Sequence, residues 1–289
     1  MRMRIRAVIN VFIILPLVLS FQSAKKTIIP LGIVAPIEKD SIIHASGFNL
    51  MGESVSKMIS PSLTEEKFAE NLVRIKNLQT KLYMCNVMFP GDMKIAGPNV
   101  NETTVLAYAD RLFARAQKAE IKVIVLGSGT ARRLPDHYDV KKATADFVIL
   151  SKKIAVIAAK YQVKIALENL QSKETNFINT VKSAAEVVRS VDHPNFKLNA
   201  DIFHMRREHE PPQHIIDAKD LLIHCEIAED AERTLPGIKG DDFTPYLEAL
   251  KNADYKGPIF VEAGSNYSET QMAFCFQFLA KQIENVYKN

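Results

Sequence analysis

VKIALEN at residues 163–169, TVKSAAEVVRSV at 180–191 and FKLNAD at 196–201 are the runs from which the fold is first inferred. The first and third runs are short and mostly apolar, which is typical of buried strands. The second run repeats its apolar residues at helical spacing. A strand, a helix and a second strand in this order predict a β-α-β unit with parallel strands.

The same alternation extends along the chain in both directions. We interpret eight short apolar runs as strands, at Ile28–Pro36, Phe48–Glu53, Lys81–Met88, Lys122–Leu126, Val163–Asn169, Phe196–Ile202, Leu221–Ala228 and Pro258–Ala263. Segments of helical period lie at Ser62–Leu78, Asn101–Ala119, Val140–Tyr161, Thr180–Val191, Gln213–Ala218, Phe243–Asn252 and Glu269–Tyr287. We expect the first of these helices to open with a capping box of Ser62 and Glu65.

Eight strands that alternate with helices predict an α/β fold, a (β/α)8 TIM barrel in a single domain. An open doubly wound sheet is the alternative. No G-x-G-x-x-G motif follows the first strand to support a dinucleotide-binding fold of that kind.

The first 24 residues, MRMRIRAVINVFIILPLVLSFQSA, differ from the rest of the chain. Three arginines precede an apolar stretch at 7–21 and small residues follow it, which is the layout of a secretory signal peptide. A membrane anchor is the alternative, but a spanning helix needs about 20 apolar residues, and this stretch is shorter and contains Pro16. We therefore expect a signal peptide at 1–24, a barrel domain at 25–289, and an exported, periplasmic protein without a membrane span after cleavage.

Composition and charge narrow the classes of protein. With 47% hydrophobic and 24% charged residues, the 289-residue chain has a globular composition. The net charge is +4, and loss of the three leading arginines would leave +1. So small a charge offers little attraction to nucleic-acid phosphates. The three cysteines contain no C-x-x-C pair, so neither a disulfide framework nor a zinc–cysteine site is supported.

Four successive predicted strands carry an acidic residue at or near their C-terminal ends. These residues are Glu168, Asp201, Glu226 and Glu262, and the C-terminal ends of barrel strands form the face where active sites lie. Any one of them could be a helix cap or the partner of a nearby arginine. Together they would repel one another, and a divalent cation is the simplest counter-charge. An all-oxygen site suits Mg²⁺ or Mn²⁺ more than Zn²⁺.

Two histidines accompany these acids. His204 follows Asp201 by three residues, beyond the strand end, and we favour a substrate contact for it. His224 precedes Glu226 by two residues and therefore shares its face of the strand. His224 could bind metal, contact substrate or be a satisfied core histidine, and the sequence leaves these interpretations open.

Two loops and one turn carry weaker signals. Arg233, in the loop after the seventh strand, could hold a substrate hydroxyl or phosphate. Glu174, in the loop after the fifth strand, could contact substrate or be a solvated loop acid. The run Gly127–Gly129, with Arg132 and Arg133 nearby, could bind an anion or form a plain tight turn.

Four longer segments carry a family resemblance: ALENLQSKETNFINT at 166–180, ADIFHM at 200–205, HCEIAEDAERTLPGIKGDDF at 224–243 and YKGPIFVEAG at 255–264. In combination they resemble the xylose isomerase-like sugar isomerase and epimerase barrels, which include ketose 3-epimerases and hydroxypyruvate isomerase. By this resemblance, Glu168 and Glu262 are metal ligands that also act as acid and base, and Asp201 is a further ligand. Glu226 stands where the family usually has His or Gln as a ligand, which changes the charge of the site.

The resemblance also implies substrate-binding residues. His204 matches the histidine that contacts substrate, and Glu174 and Arg233 match residues that hold substrate hydroxyls. The loop that precedes Arg233 is one residue longer than in ketose 3-epimerases. We add His224 to these substrate-binding candidates because it shares the strand face of Glu226.

The implied function is a divalent-metal-dependent sugar isomerase or epimerase. It would act on a ketose or related hydroxy-ketone by proton transfer through an enediolate, with Mn²⁺ or Mg²⁺ as cofactor and Zn²⁺ or Co²⁺ as alternatives. A lyase or hydrolase of 3-keto-glycosides and a non-catalytic sugar-binding barrel are the other hypotheses. The expected partner is a small carbohydrate, not a nucleic acid. A homo-oligomer stays open, since Met272, Phe274, Phe276 and Phe278 of the final helix could pack on the barrel or form a dimer contact.

Overall fold

The computed structural model describes residues 29–288, in which eight parallel strands close into a barrel in chain order. The strands are β1 (Leu31–Val34), β2 (Leu50–Ser54), β3 (Lys81–Asn86), β4 (Val123–Leu126), β5 (Lys164–Glu168), β6 (Phe196–Asp201), β7 (Leu222–Ile227) and β8 (Ile259–Val261). The predicted (β/α)8 barrel is confirmed. Most strands are shorter than the apolar runs, because the residues at the ends of those runs lie beyond the last ladder hydrogen bonds.

Eleven helices lie in the described range. They are α1 (Asp40–Ala45), α2 (Val55–Met58), α3 (Glu65–Lys76), α4 (Glu102–Lys118), α5 (Gly129–Arg132), α6 (Val140–Lys160), α7 (Val181–Val191), α8 (Ile202–Arg207), α9 (Gln213–Asp217), α10 (Thr244–Asn252) and α11 (Glu269–Lys288). All helices of nine or more residues lie where helical spacing predicts them, as does the short α9. The helices α1, α2, α5 and α8 were not predicted, because four to six residues are too few for an apolar period to show.

The start of α3 differs from its prediction. The helix begins at Glu65, and the hydroxyl of Thr64 caps it by accepting a hydrogen bond from the Lys67 N–H at 3.2 Å. Ser62 is still within the preceding turn, where its own N–H donates to the Ser60 hydroxyl at 3.1 Å. The capping box predicted for Ser62 and Glu65 is therefore wrong.

The predicted signal peptide, residues 1–24, lies outside the described residues. Within 29–288, no helix combines the length and apolar character that crossing a bilayer requires. In α11, Met272 is buried against the barrel as predicted, whereas Phe274 is 48% exposed at the surface.

An apolar cluster inside the barrel lies deeper than the strand-end acids. Its buried members are Met84, Val123, Val125, Ala166 and Phe260. Ala166 and Phe260 precede Glu168 and Glu262 by two residues, so they share the inward face one step deeper in the barrel. The Phe260 ring reaches across to β1, where a Cβ on Gly32 would lie 2.5 Å from it. Glycine at position 32 therefore leaves room for the ring.

The strand register brings the acids to one level of the barrel. Asp201 pairs with Glu226 across β6 and β7, and Glu168 pairs with Asn199 across β5 and β6. The N–H of Glu262, directly after β8, donates to the last carbonyl of β7 at 3.1 Å. The four acids therefore meet at the C-terminal face of the barrel.

Candidate active site

Four carboxylates converge at this face. Glu168 and Asp201 are the last residues of β5 and β6, Glu226 is the penultimate residue of β7, and Glu262 follows β8. Each offers one oxygen, and these four oxygens all lie within 4.8 Å of one another. Glu168, Asp201 and Glu226 are buried and Glu262 is half-buried. The four acids predicted from the strand ends are therefore brought together.

Two asparagines hold two of these carboxylates. Asn86, the last residue of β3, donates its amide N–H to Glu262 Oε1 at 2.5 Å. Asn199, inside β6, donates to Glu226 Oε2. The second oxygen of Glu226, Oε1, is buried and has no hydrogen-bond partner. One oxygen of Glu226 is thus held by the barrel wall and the other is free to bind a ligand.

Arg233 brings a positive charge into the cluster. Its guanidinium donates to Glu262 Oε2, lies 3.4 Å from Asp201 Oδ2 and 3.7 Å from Glu174 Oε1, and stacks over the Phe203 ring at 4.6 Å. Its Nε donates to the backbone carbonyl of Glu262 at 2.9 Å. Burial alone would lower the pKa of Arg233, but the carboxylates of Glu262 and Asp201 outweigh burial and raise it. Arg233 is therefore charged and placed where a substrate hydroxyl would meet the acids.

His204 lies in the same cluster, near the start of α8. Its Nε2 is 3.5 Å from Asp201 Oδ2 and 3.6 Å from Glu168 Oε1, and neither ring nitrogen has a hydrogen-bond partner. Burial and the positive charge of Arg233 lower the pKa of His204 to about 4. The imidazole is therefore neutral at neutral pH, so one ring nitrogen can donate a hydrogen bond and the other can accept one.

His224 lies one step deeper on β7. It is fully buried, its Nε2 is 3.4 Å from Glu226 Oε1, and its ring packs against Phe260 with centroids 4.9 Å apart. Burial lowers its pKa to about 3, so this imidazole is neutral. Two groups of described residues could hold a metal ion, the four carboxylates and the trio of Glu168, Asp201 and His204, and His224 belongs to neither.

Glu174 approaches the cluster from the loop after β5. Its Oε1 accepts a hydrogen bond from the Gln171 amide at 2.9 Å and lies 4.0 Å from His204 Nε2. Its backbone carbonyl accepts from the guanidinium of Arg133 at 2.8 Å. Glu174 is thus fixed from two sides and faces the cluster, where substrate contact is available to it.

The loop after β4 packs closely against this cluster. The Arg132 side chain is fully buried, and its guanidinium donates to the backbone carbonyls of Leu126 and Ile178, each at 3.3 Å. Burial lowers the pKa of Arg132 to about 10, an effect that Glu168 and Glu174 partly offset. Both arginines thus hold backbone carbonyls, and Gly129–Arg132 forms the short helix α5 where a plain tight turn was one of the two interpretations.

Gly127, in the same loop, lies directly against a site carboxylate. A Cβ at this position would fall 1.8 Å from Glu168 Oε2. A glycine is therefore required here for Glu168 to keep its position.

Burial and mutual repulsion disfavour ionisation of the clustered acids. Burial, followed by the charges of Glu226 and Glu262, raises the pKa of Glu168 well above its ordinary value. Burial, with the charges of Glu262 and Asp201, does the same for Glu226. Burial also raises the pKa of Asp201, although the charge of Arg233 opposes it. Four carboxylates against one arginine leave an excess of negative charge.

The residues present fit a divalent cation. Four carboxylate oxygens can approach a common point, and Glu226 Oε1 is a buried acceptor that has no hydrogen-bond partner among the described residues. The donor set is all oxygen, which is the set that hard cations such as Mg²⁺ and Mn²⁺ prefer.

A comparison with known families places the chain. A family model described as "Xylose isomerase-like TIM barrel" matches residues 43–280. The chain belongs to the xylose isomerase-like TIM barrel family. The resemblance carried by the strand-end segments is thereby confirmed.

Curated members of this family include sugar epimerases. The chain is 32% identical over 123 residues to L-ribulose 3-epimerase of Methylomonas sp., covering 42% of this chain and 43% of that protein. It is 27% identical over 146 residues to 3-dehydro-D-guloside 4-epimerase of Escherichia coli, covering 49% and 55%. The matches thus span about half the length of these relatives.

Solved structures support the fold at greater coverage. The apo structure of 3-keto-D-glucoside 4-epimerase from E. coli superposes with a TM-score of 0.74 at 18% sequence identity, covering 88% of this chain and 99% of that one. At this identity the likeness establishes the shared barrel fold.

Two residues that support this site were not found from the sequence. Asn86 and Asn199 bind site carboxylates although Asn86 lies far along the chain from its partner and Asn199 lies inside an apolar run. A polar residue within a buried strand, such as Asn199, was the available signal, because buried amides need a hydrogen-bond partner.

Metal-free protein is expected to gain stability as the pH falls from about 8 to about 7, a range above the one in which His204 and His224, whose pKa values folding lowers, would take up protons on unfolding and oppose the gain. A carboxyl group whose pKa is raised by folding stabilises the fold at low pH and loses that contribution as the pH rises through the raised pKa. Glu168, Asp201 and Glu226 all shift in this direction. Melting temperatures measured in chelator at both pH values test this. The Glu226→Gln variant lacks one of the shifted carboxyl groups, so its melting temperature should differ less between the two pH values. Equal pH dependence in Glu226→Gln and the parent would contradict the expectation. Added Mn²⁺ should reverse the trend, since ligands must be deprotonated to bind it.

Proposed function

We propose that the protein is a divalent-metal-dependent sugar epimerase or isomerase that moves a proton on the carbon next to a carbonyl of a ketose or keto-glycoside. The observation that carries the proposal is the meeting of Glu168 and Glu262 in one cluster with Asp201, Glu226 and the charged Arg233. Family membership and the epimerase relatives support the same reaction class.

Glu168, Asp201, Glu226 and Glu262 would hold the cation. When bound, it would polarise a substrate carbonyl and make the neighbouring carbon-bound proton more acidic. A structural neighbour of this chain, at 14% identity, is described with a zinc atom. For this chain we propose Mn²⁺ or Mg²⁺, because Glu226 supplies an oxygen.

Two glutamates would carry the proton transfers. Glu168 and Glu262 come from β5 and from the end of β8, so they reach the cluster from different sides of the barrel mouth. One would remove the carbon-bound proton from one face of the substrate carbon, and the other would return a proton to the opposite face. The result is an inverted carbon after an enediolate intermediate.

Three further side chains would bind and orient the substrate. Arg233 would donate to a substrate hydroxyl while it holds Glu262 in place. The neutral His204 has unpartnered ring nitrogens and would bind a second hydroxyl. Glu174 would accept a hydrogen bond from the substrate at the edge of the cluster. His224, wholly buried beneath Glu226, would support that carboxylate more readily than it would touch a sugar.

The proposed function is tested by incubating metal-loaded protein with a panel of ketoses and 3-keto-glycosides in deuterium oxide and analysing products by NMR. Epimerisation with incorporation of one deuterium at the inverted carbon is the expected result. Release of the aglycone from a 3-keto-glycoside would instead support the lyase or hydrolase alternative. Sugar binding without deuterium incorporation would support a non-catalytic barrel, and either result would overturn the epimerase proposal.

A specific observation favours 3-keto-glycosides as the second class of substrate to test. Two of the similar proteins are described as epimerases of 3-dehydro or 3-keto glycosides, and one of these provides the structural match that covers 99% of that chain. The proton transfer would be the same, because a keto group acidifies the protons on either neighbouring carbon.

A further inference from the structure

The loop after β7 is built around a buried carboxylate that the proposed mechanism does not use. Glu229 lies two residues beyond the end of β7 and its side chain is fully buried. Its Oε1 accepts from the N–H groups of Gly237 at 2.9 Å and Gly240 at 3.0 Å, and more distantly from Asp241 at 3.2 Å. Its Oε2 accepts from the Lys239 N–H at 2.5 Å.

Backbone N–H dipoles stabilise the negative charge of the Glu229 carboxylate. Within residues 29–288, no lysine, arginine or histidine forms an ion pair with it. Gly237 and Gly240 have φ angles of +94° and +86°, the left-handed region that favours glycine. That backbone course turns successive N–H groups inward, as in anion-binding loops. Here the protein's own carboxylate fills the anion position.

The same carboxylate reaches the residue next to Arg233. The hydroxyl of Thr234 donates to Glu229 Oε2 at 2.9 Å, and the Glu229 N–H donates to the Thr234 carbonyl at 3.0 Å. On its other side, the carbonyl of Arg233 accepts from the Gly264 N–H at 2.8 Å. Arg233 therefore sits between two anchored points, one fixed by Glu229 and one on the loop after β8.

The backbone at Arg233 needs such anchors. Glu232 and Arg233 have φ angles of +59° and +51°, a conformation that non-glycine residues rarely adopt. Residues in such conformations persist only when the surrounding structure holds them there. From this backbone the Arg233 guanidinium reaches Glu262 and Asp201.

We propose that Glu229 is the positioning residue for Arg233: it organises residues 230–241 as a rigid loop that aims the guanidinium at the carboxylate cluster, and it does not itself touch substrate. The inference rests on the proposed function for the role of Arg233 in catalysis. Glutamine at position 229 would place an NH₂ group against backbone N–H donors, so some of the hydrogen bonds that hold the loop would be lost.

Glu210 offers a matched control. It is also a buried glutamate, and its carboxylate accepts from the backbone N–H groups of Val181 at 2.8 Å and Lys182 at 3.0 Å at the start of α7. Unlike Glu229, it also contacts a histidine, with Oε1 2.7 Å from His214 Nδ1, and none of its side-chain contacts is with a proposed site residue. Glu210→Gln therefore makes the same chemical change in a comparable setting away from Arg233.

The experiment compares kcat and KM of Glu229→Gln, Glu210→Gln and Arg233→Ala, and of the double variant Glu229→Gln with Arg233→Ala. A group displaced from its productive position costs about 10²-fold in rate. We therefore expect the kcat/KM of Glu229→Gln to fall about 10²-fold below that of the parent. The kcat/KM of Glu210→Gln should stay near the parent value. In the Arg233→Ala background, Glu229→Gln should add little, because effects that act through one residue are not additive. Unchanged kcat/KM in Glu229→Gln, or losses that multiply in the double variant, would overturn the proposal. Glu229→Asp, which keeps the charge, should recover part of the activity.

Hydrogen exchange gives a readout without turnover. Amides of residues 230–241 should exchange faster in Glu229→Gln than in the parent, and Glu210→Gln should leave them unchanged. Equal exchange in all three proteins would overturn the proposal. If no sugar is turned over by the parent, the proposed function fails, and hydrogen exchange still decides the role of Glu229.

Discussion

Glu168→Gln and Glu262→Gln are each expected to lose epimerisation in both directions by about 10²- to 10⁴-fold, the contribution typical of a positioned proton-transfer group. Glutamine keeps the size of the side chain and an oxygen toward the cluster, but it cannot accept the carbon-bound proton. The loss should appear mainly in kcat, because Arg233 and His204 are retained and a glutamine at 262 still offers an oxygen to the Arg233 guanidinium.

The two variants should differ in which epimer they still exchange with solvent. Each retains one glutamate, which can remove a proton from one face of the substrate carbon and return deuterium to the same face. Glu168→Gln and Glu262→Gln should therefore label opposite epimers without interconverting them. NMR of each pure epimer in deuterium oxide measures this.

Metal content and a matched variant complete this test. Metal analysis of each protein separates loss of the base from loss of the cation, since both glutamates also belong to the cluster. Glu210→Gln, a buried glutamate elsewhere, should epimerise at the parent rate. Parent-like epimerisation in both site variants would show that these glutamates do not transfer the proton.

Glu226→His is expected to change the metal preference of the site. The parent cluster offers four carboxylate oxygens, and an imidazole nitrogen in place of one of them suits Zn²⁺ better than Mg²⁺ or Mn²⁺. The variant also removes one negative charge, which weakens attraction for every divalent cation. We expect Mn²⁺ affinity to fall by at least the roughly 10- to 100-fold that loss of an outer ligand partner costs, and Zn²⁺ affinity to fall less or to rise.

Competition titrations with a metal-binding dye measure both affinities directly. Glu226→Gln is the matched control, because it removes the charge and keeps an oxygen, so it should weaken both metals while leaving their ratio near that of the parent. An unchanged Mn²⁺ to Zn²⁺ ratio in Glu226→His would show that residue 226 does not contact the cation.

The acids of the site were predictable because they lie at a position that the fold itself defines. Once the alternation of strands and helices predicts a barrel, the last residues of β5 to β8 must meet at one face, and Glu168, Asp201, Glu226 and Glu262 do so. The spacing of apolar residues and the order of the strands can both be inferred from the local sequence. No knowledge of side-chain packing was required to predict this convergence.

The supporting residues could not be predicted in this way. The Asn86 amide binds a carboxylate 176 residues further along the chain, and the strand register that aligns them comes only from the closed barrel. Glu229 was not singled out, because its main partners are backbone N–H groups, which carry no signal in the sequence. Arg132 is buried although arginine is among the residues seldom found inside proteins.

The charged groups of the cluster all come from residues 168–262, the second half of the barrel, whereas β1 to β4 bring a neutral amide, Asn86, to its edge. The charged groups of the cluster are therefore confined to one half of a barrel whose two halves share the same β/α architecture. The proposed substrate contacts Glu174, His204 and Arg233 follow β5, β6 and β7, so they fall on the same stretch of the chain as the proton-transfer residues. Grafting the loops after β1 to β4 from a relative is therefore expected to leave both the proton-transfer residues and these substrate contacts in place.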